Sequence, residues 1–238
     1  MQIDTQVATG TQSPLTRSTR FTRWSGLAAM LGGLLFAIGI PLHPLRFGEA
    51  VHNSPYAAIH TLIAMSLMLA LLGLVGVCVR QGERLGTFGL AGYFIAFIGH
   101  TLTLAGLMTE GFMWPAVAVY DPAAVHSFDA STPLGQAISL LTPIFLGGLV
   151  FFAVGYALLG GATIRAGNLP RGAGLLVAVG AVLYAAGDFS LPILGTHSLL
   201  VTVIETSGAI PFGLGFVWMG YALWRRRPGV AQTRAAHE

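Results

Sequence analysis

Six apolar runs dominate the chain, at about 24–42, 56–79, 87–113, 137–162, 172–193 and 200–224. Each reaches the roughly twenty residues with which a helix crosses about 30 Å of hydrocarbon. Lipid offers no water to an unpaired backbone amide, so a run of this length must satisfy its own N–H and C=O groups, and it does so as an α-helix. The alternative, a soluble helical globule, fails on charge. Only 9% of the 238 residues are charged, against about 25% in an ordinary soluble domain, and the mean hydropathy is +0.73. The expected fold is therefore all-α: a polytopic membrane protein with six transmembrane helices in one domain over 24–224. A disordered basic tail precedes it (1–23) and an Arg-rich tail follows it (225–238).

The first run follows Arg17, Arg20 and Arg23, the order found in a signal peptide. It is near full spanning length, and no small-x-small cleavage site follows before Pro41 and Pro44, so it reads as a retained first helix. Sidedness comes from the arginines, which supply all the basic residues. The amino-terminal tail, the 2–3 connection (Arg80, Arg84), the 4–5 connection (Arg165, Arg171) and the carboxyl end (Arg225, Arg226, Arg227, Arg234) lie on one face of a six-span arrangement. Arg46 alone lies on the other face, and the 3–4 connection, roughly 114–136, carries Asp121 and Asp129 without an Arg. By the positive-inside rule both termini are cytoplasmic, and the expected location is a bacterial inner membrane.

Composition excludes several functions. The arginines flank apolar runs and do not interleave with aromatic residues, so nucleic acid is not an expected partner. Cys78 is the only cysteine and sits inside an apolar run, which reads as packing. No cysteine spacing for a zinc ribbon, iron–sulfur cluster or covalent haem is present, and no Walker-type loop.

Glycines repeat at fixed intervals. Gly26, Gly32 and Gly39 are spaced like Gly86, Gly92 and Gly99, and like Gly174, Gly180 and Gly187. The even runs answer more weakly, with Gly148 and Gly155 corresponding to Gly213 and Gly220. The pattern predicts three tandem helical hairpins. Glycines seven apart share a helix face, so Gly32 with Gly39, Gly92 with Gly99, and Gly180 with Gly187 each form a flat stripe where a second helix approaches closely. With its length, six runs, Arg-bearing connections and the ending Gly220-Tyr221-Ala222-Leu223-Trp224-Arg225-Arg226-Arg227, the chain resembles a broad group of small six-helix bacterial integral membrane proteins. That resemblance implies the architecture and carries no activity.

Ionisable residues inside the runs are the candidate functional groups. Counting from the arginine at the cytoplasmic end of each helix, His43, His60 and Glu205 all lie twenty residues away, or about 30 Å. His100 and Asp188 lie sixteen and seventeen away, roughly 24–26 Å, each directly after the last glycine of its stripe. They are expected to be neighbours. Glu110, at about 39 Å, falls among the outer headgroups or in water on the same ruler. His43, His60, His100, Asp188 and Glu205 thus make up a candidate outward-facing polar pocket. Its leading reading is non-enzymatic: binding or transport of a small solute or of protons, since imidazole titrates near neutral pH.

Two other readings use the same features. A membrane-embedded metal-dependent enzyme would draw a divalent ion's ligands from His60, His100, Asp188 and Glu205, and a b-type haem would need His60 and His100 on facing helices. No resident cofactor is expected. An accessory subunit would instead use the glycine stripes to dock a second copy or another membrane protein. Pro211, six residues from Glu205, is the position where the last helix could break and line a site.

Overall fold

Residues 14–43, 55–120, 141–194 and 199–225 are described by the computed structural model, and helix is the only regular structure among them. The elements are α1 (Pro14–Gly39) with a 3-10 turn at Ile40–Leu42; α2 (Pro55–Gln81); a 3-10 turn at Gly82–Leu85; α3 (Gly86–Met108); a π segment at Thr109–Met113; α4 (Trp114–Tyr120); α5 (Leu141–Ala166); α6 (Arg171–Leu194); and α7 (Leu199–Arg225).

Five helical stretches are long and apolar enough to cross a membrane: Arg20–Leu42, Pro55–Tyr120, Pro143–Ala166, Arg171–Ser190 and Leu199–Arg225. The second, of 66 residues, doubles back. Gly82 and Gly86 bracket the 3-10 turn with φ of 52° and 63°, values that side chains with a Cβ rarely adopt. The reversal brings His100 of α3 against the Leu67 carbonyl of α2.

Helix ends depart from the expected bounds in two places. α1 begins at Pro14 and not near Trp24, so residues 14–23, assigned above to a disordered tail, are helical. Proline suits a first helical turn, where its missing N–H is one of the unpaired donors anyway, and no breaker intervenes before Pro41. The second departure follows α3. Helix continues through a π segment into α4 and ends at Tyr120, covering the first residues of the expected 114–136 loop. Pro115 supplies a cause, because it cannot donate to the carbonyl four residues back and its ring crowds that carbonyl, which a locally widened turn relieves. Asp121 and Asp129 lie outside the described residues, as do the two tails at 1–13 and 226–238. Pro211, by contrast, does not break α7, which runs unbroken from Leu199 to Arg225.

The helices pack antiparallel to their neighbours in a ring, α1, α2, α3, α5, α6, α7 and back to α1; α3 with α5 and α6 with α7 make the most extensive seams, and α1 lies against α7 as fully as against α2. Glycines lie at the seams. A Cβ on Gly32 would strike the α2 backbone at Ser66 and Ala70, and one on Gly39 would meet Ile63. On Gly92 and Gly99 it would strike α5 at Leu158–Leu159 and Phe151–Phe152, and on Gly180 and Gly187 it would strike α7 at Phe212 and Glu205. Each stripe thus faces the next long helix in the chain. The first glycine of each triplet does other work: Gly26 meets Gly220 across the α1–α7 seam, Gly86 ends a turn, and Gly174 faces Gly160.

Aromatic rings fill the core. Phe36 of α1, Phe152 and Tyr156 of α5, Tyr184 of α6, and Phe212 and Phe216 of α7 pack with ring centroids 4.7–5.8 Å apart. The outside is apolar as well, with Phe88 70%, Leu72 58% and Phe94 57% exposed. A helix apolar all round belongs in a membrane or a large core.

Candidate functional site

The two ends of the bundle differ in chemistry. At one end Arg23 stacks over Trp224, Arg225 lies over Tyr221, and Arg84 donates to Asn168 at 2.8 Å. At the other end stand His43, His60, Glu110, Asp188 and Glu205.

His43 is placed by its neighbours in sequence. Pro41 and Pro44 stop α1, and a residue before proline is driven to extended backbone; His43 has φ −60° and ψ 128° and its N–H is bonded to the Ile40 carbonyl. Its Nε2 lies 3.1 Å from Nε2 of His60. His60 is fully buried on α2 and holds Nδ1 2.9 Å from the Tyr56 carbonyl. A carbonyl only accepts, so Nδ1 carries the hydrogen, and in the neutral ring Nε2 bears the lone pair. Tyr56 stacks on the same ring at 4.1 Å. Burial lowers His43 to about 4, with the Glu110 carboxylate opposing and His60 adding to the shift. At neutral pH His43 is therefore uncharged, and its Nε2 hydrogen points to the His60 lone pair.

Glu110 completes this group. Its Oε2 lies 3.7 Å from Nε2 of His60, and its side chain is 20% exposed. The sequence ruler put Glu110 well above His60, whereas its carboxylate stands beside the His60 ring. Residue counts give height only for an upright α-helix, and Glu110 lies in the π segment, where Gly111 lets the chain sit directly on the His60 Cβ. The Nε2 atoms of the two histidines and a Glu110 oxygen lie within 4.8 Å of one another.

The two remaining carboxylates meet each other. Glu205 crosses Gly187, and Asp188 lies within hydrogen-bonding range of Glu205 and of Tyr184. Asp188 Oδ2 is buried with no hydrogen-bond partner among the described residues. The Glu110 carboxylate acts through space on Asp188, Glu205 and Tyr184, so the two groups of residues share one end of the bundle.

His100 does not belong with them. Its Nε2 is 2.8 Å from the Leu67 carbonyl and its Nδ1 2.6 Å from the Tyr156 hydroxyl. Nε2–H donates to the carbonyl, Nδ1 accepts from Tyr156 O–H, and both nitrogens are used inside a fully buried site. The expected pairing of His100 with Asp188 is therefore corrected, and in this arrangement neither nitrogen of His100 is open to a ligand. Equal position in the repeat gave the two residues equal height, but each turns toward its own helical neighbours. Between them stand Phe152, 5.6 Å from the His100 ring, and Tyr184.

Sequence reasoning missed Glu110 and the framing role of Tyr56 and Gly111. A signal was present in Glu110-Gly111 followed by Trp114-Pro115, a carboxylate just before a helix-perturbing proline. No protein-family model matches the chain, and no curated protein or solved structure is significantly similar to it.

Proposed function

We propose that the chain crosses a bacterial cytoplasmic membrane six times, with both termini in the cytoplasm, and that the polar end of the bundle is an outward-facing pocket that takes up protons or a solute of ionic size. The doubling back of the Pro55–Tyr120 stretch at Gly82–Leu85 supports six crossings, and the gathering of Arg23, Arg84 and Arg225 at the opposite end supports the orientation. The observation that carries the pocket is the position of Glu110. It is partly exposed, it touches His60, and its charge reaches Asp188 and Glu205. Groups that exchange protons thus form a path from the surface to a buried imidazole. The 3.1 Å between His43 and His60 favours protons or a bare ion over a larger solute.

Two measurements test this reading. In proteoliposomes carrying an internal pH dye, the wild-type protein should dissipate an imposed pH gradient faster than empty vesicles, and E110Q should return the rate to theirs. A wild-type rate equal to that of empty vesicles overturns proton transport. In a Cys78→Ala background, Leu42→Cys should react with an impermeant maleimide added to intact cells. Reaction only after permeabilisation overturns the outward orientation.

A further inference from the structure

We infer that His43, His60 and Glu110 form a binding site for a divalent first-row metal ion of the zinc class. The ligand atoms are Nε2 of His43, Nε2 of His60 and a carboxylate oxygen of Glu110, drawn from the end of α1, from α2 and from the π segment after α3. This names an ion for the pocket described above and rests on that reading only for the side from which the ion enters.

Four features of the geometry support the assignment. Two nitrogens held about 2.05 Å from one tetrahedral ion stand roughly 3.3 Å apart; the histidine nitrogens are 3.1 Å apart and the Glu110 oxygen is 3.7 Å from one of them. The Glu110 oxygen and the His43 nitrogen are the widest pair, within 4.8 Å, so an ion between all three draws the carboxylate inward by about 1 Å, a movement that the partly exposed Glu110 side chain can make. The second feature is tautomeric. His60 spends its Nδ1 hydrogen on the Tyr56 carbonyl, leaving the Nε2 lone pair aimed at the triad. A backbone acceptor behind a histidine ligand is the usual device for fixing ring orientation and raising basicity. His100 provides the contrast, because both of its nitrogens are bonded within the core.

Third, the donor set is chemically matched. Two imidazoles with one carboxylate suit zinc and its neighbours, whereas magnesium and calcium prefer all-oxygen shells. Fourth, three protein ligands leave a tetrahedral ion one open position. The partial exposure of Glu110 gives that position a route to the outer solution. An ion would take the place of one hydrogen bond between the two rings. Without one, two imidazole nitrogens face each other and only a single hydrogen can lie between them; with one, both lone pairs are used.

The test uses the full-length protein in detergent micelles, stripped with chelator and titrated with Zn(II) and with Co(II). We expect one ion per chain, visible d–d absorption from tetrahedral Co(II), and a rise in melting temperature on Zn(II) addition. H43Q and E110Q should each weaken binding by more than the roughly 10–100-fold typical of changes behind the ligands and abolish the Co(II) bands. D188N should keep both ion and bands. No ion in the wild type, or an ion that survives H43Q and E110Q, overturns the site; loss in D188N alone would place the ion on Asp188 and Glu205 and overturns it equally. A second experiment isolates the pocket. An impermeant chelator should strip the ion from right-side-out vesicles and not from inverted ones. An ion stripped only from inverted vesicles would leave the metal site standing and overturn the outward orientation.

Discussion

Two buried histidines of one chain reach opposite ends through a single hydrogen. The His60 Nδ1–H goes to its own helix and frees Nε2, while the His100 ring is closed at both nitrogens by Tyr156 and Leu67. Tyr156→Phe should therefore leave Nδ1 of His100 unpaired in a dry core and cost about 1–3 kcal/mol. Detergent unfolding of the purified protein measures this, and an unchanged midpoint would mean the bond contributes nothing. The His43 ring gives a pH signature in the metal-free protein. Burial takes it from its ordinary 6.5 down to about 4. Between those values the unfolded chain holds a proton that the folded protein does not, so stability rises with pH across that window and is lost as pH falls through it. H43Q should make the fall from pH 6.5 to 4 shallower, and an identical slope in the variant would show that His43 does not carry it.

At the scale of elements, glycine decides which helices touch. A side chain at Gly180 would run into the α7 backbone at Gly208 and Phe212, whereas a Cβ at Gly147 would meet nothing within 4 Å. Gly180→Leu should thus destabilise the bundle by about 1–3 kcal/mol through overpacking. Gly147→Ala should be neutral or stabilising by up to about 1 kcal/mol, since alanine is the better helix former. Thermal unfolding of the two variants side by side tests the contrast; equal midpoints would show that the Gly180 seam yields freely. The π segment is the other decisive element. It precedes Pro115 and contains Gly111, whose missing side chain seats the backbone against His60 with Glu110 beside the ring.

For the whole molecule, chemistry is sorted by end. Arginine gathers at one, with Trp24 and Trp224 beside it, histidine and carboxylate at the other, and apolar side chains cover the belt between them. A reporter active only outside the cytoplasm should signal when fused after Asp121 or Thr196 and stay silent after Arg84 or Arg165. Signal from the Arg165 fusion would overturn the proposed six-span topology. The α1–α7 seam is as extensive as the α1–α2 seam, with Gly26 and Gly33 of α1 closing on Gly220 and Gly213 of α7, so the ring is continuous and should unfold as one unit.

Local pattern alone determined the helical class, the run lengths to within a few residues except at the start of α1 and around α4, and the glycine faces, because apolar length and residue spacing act within one helix. Height along the bundle was partly legible: a plain residue count put His43 and His60 level, and their rings meet. What the count could not carry was rotation and tilt. The direction in which His100 and Asp188 face depends on which helices stand beside α3 and α6, a property of the ring and not of either segment. The placement of Glu110 depends on a widened turn and on the lean of one helix over another, and both are set by packing between elements that a sequence read one helix at a time does not contain.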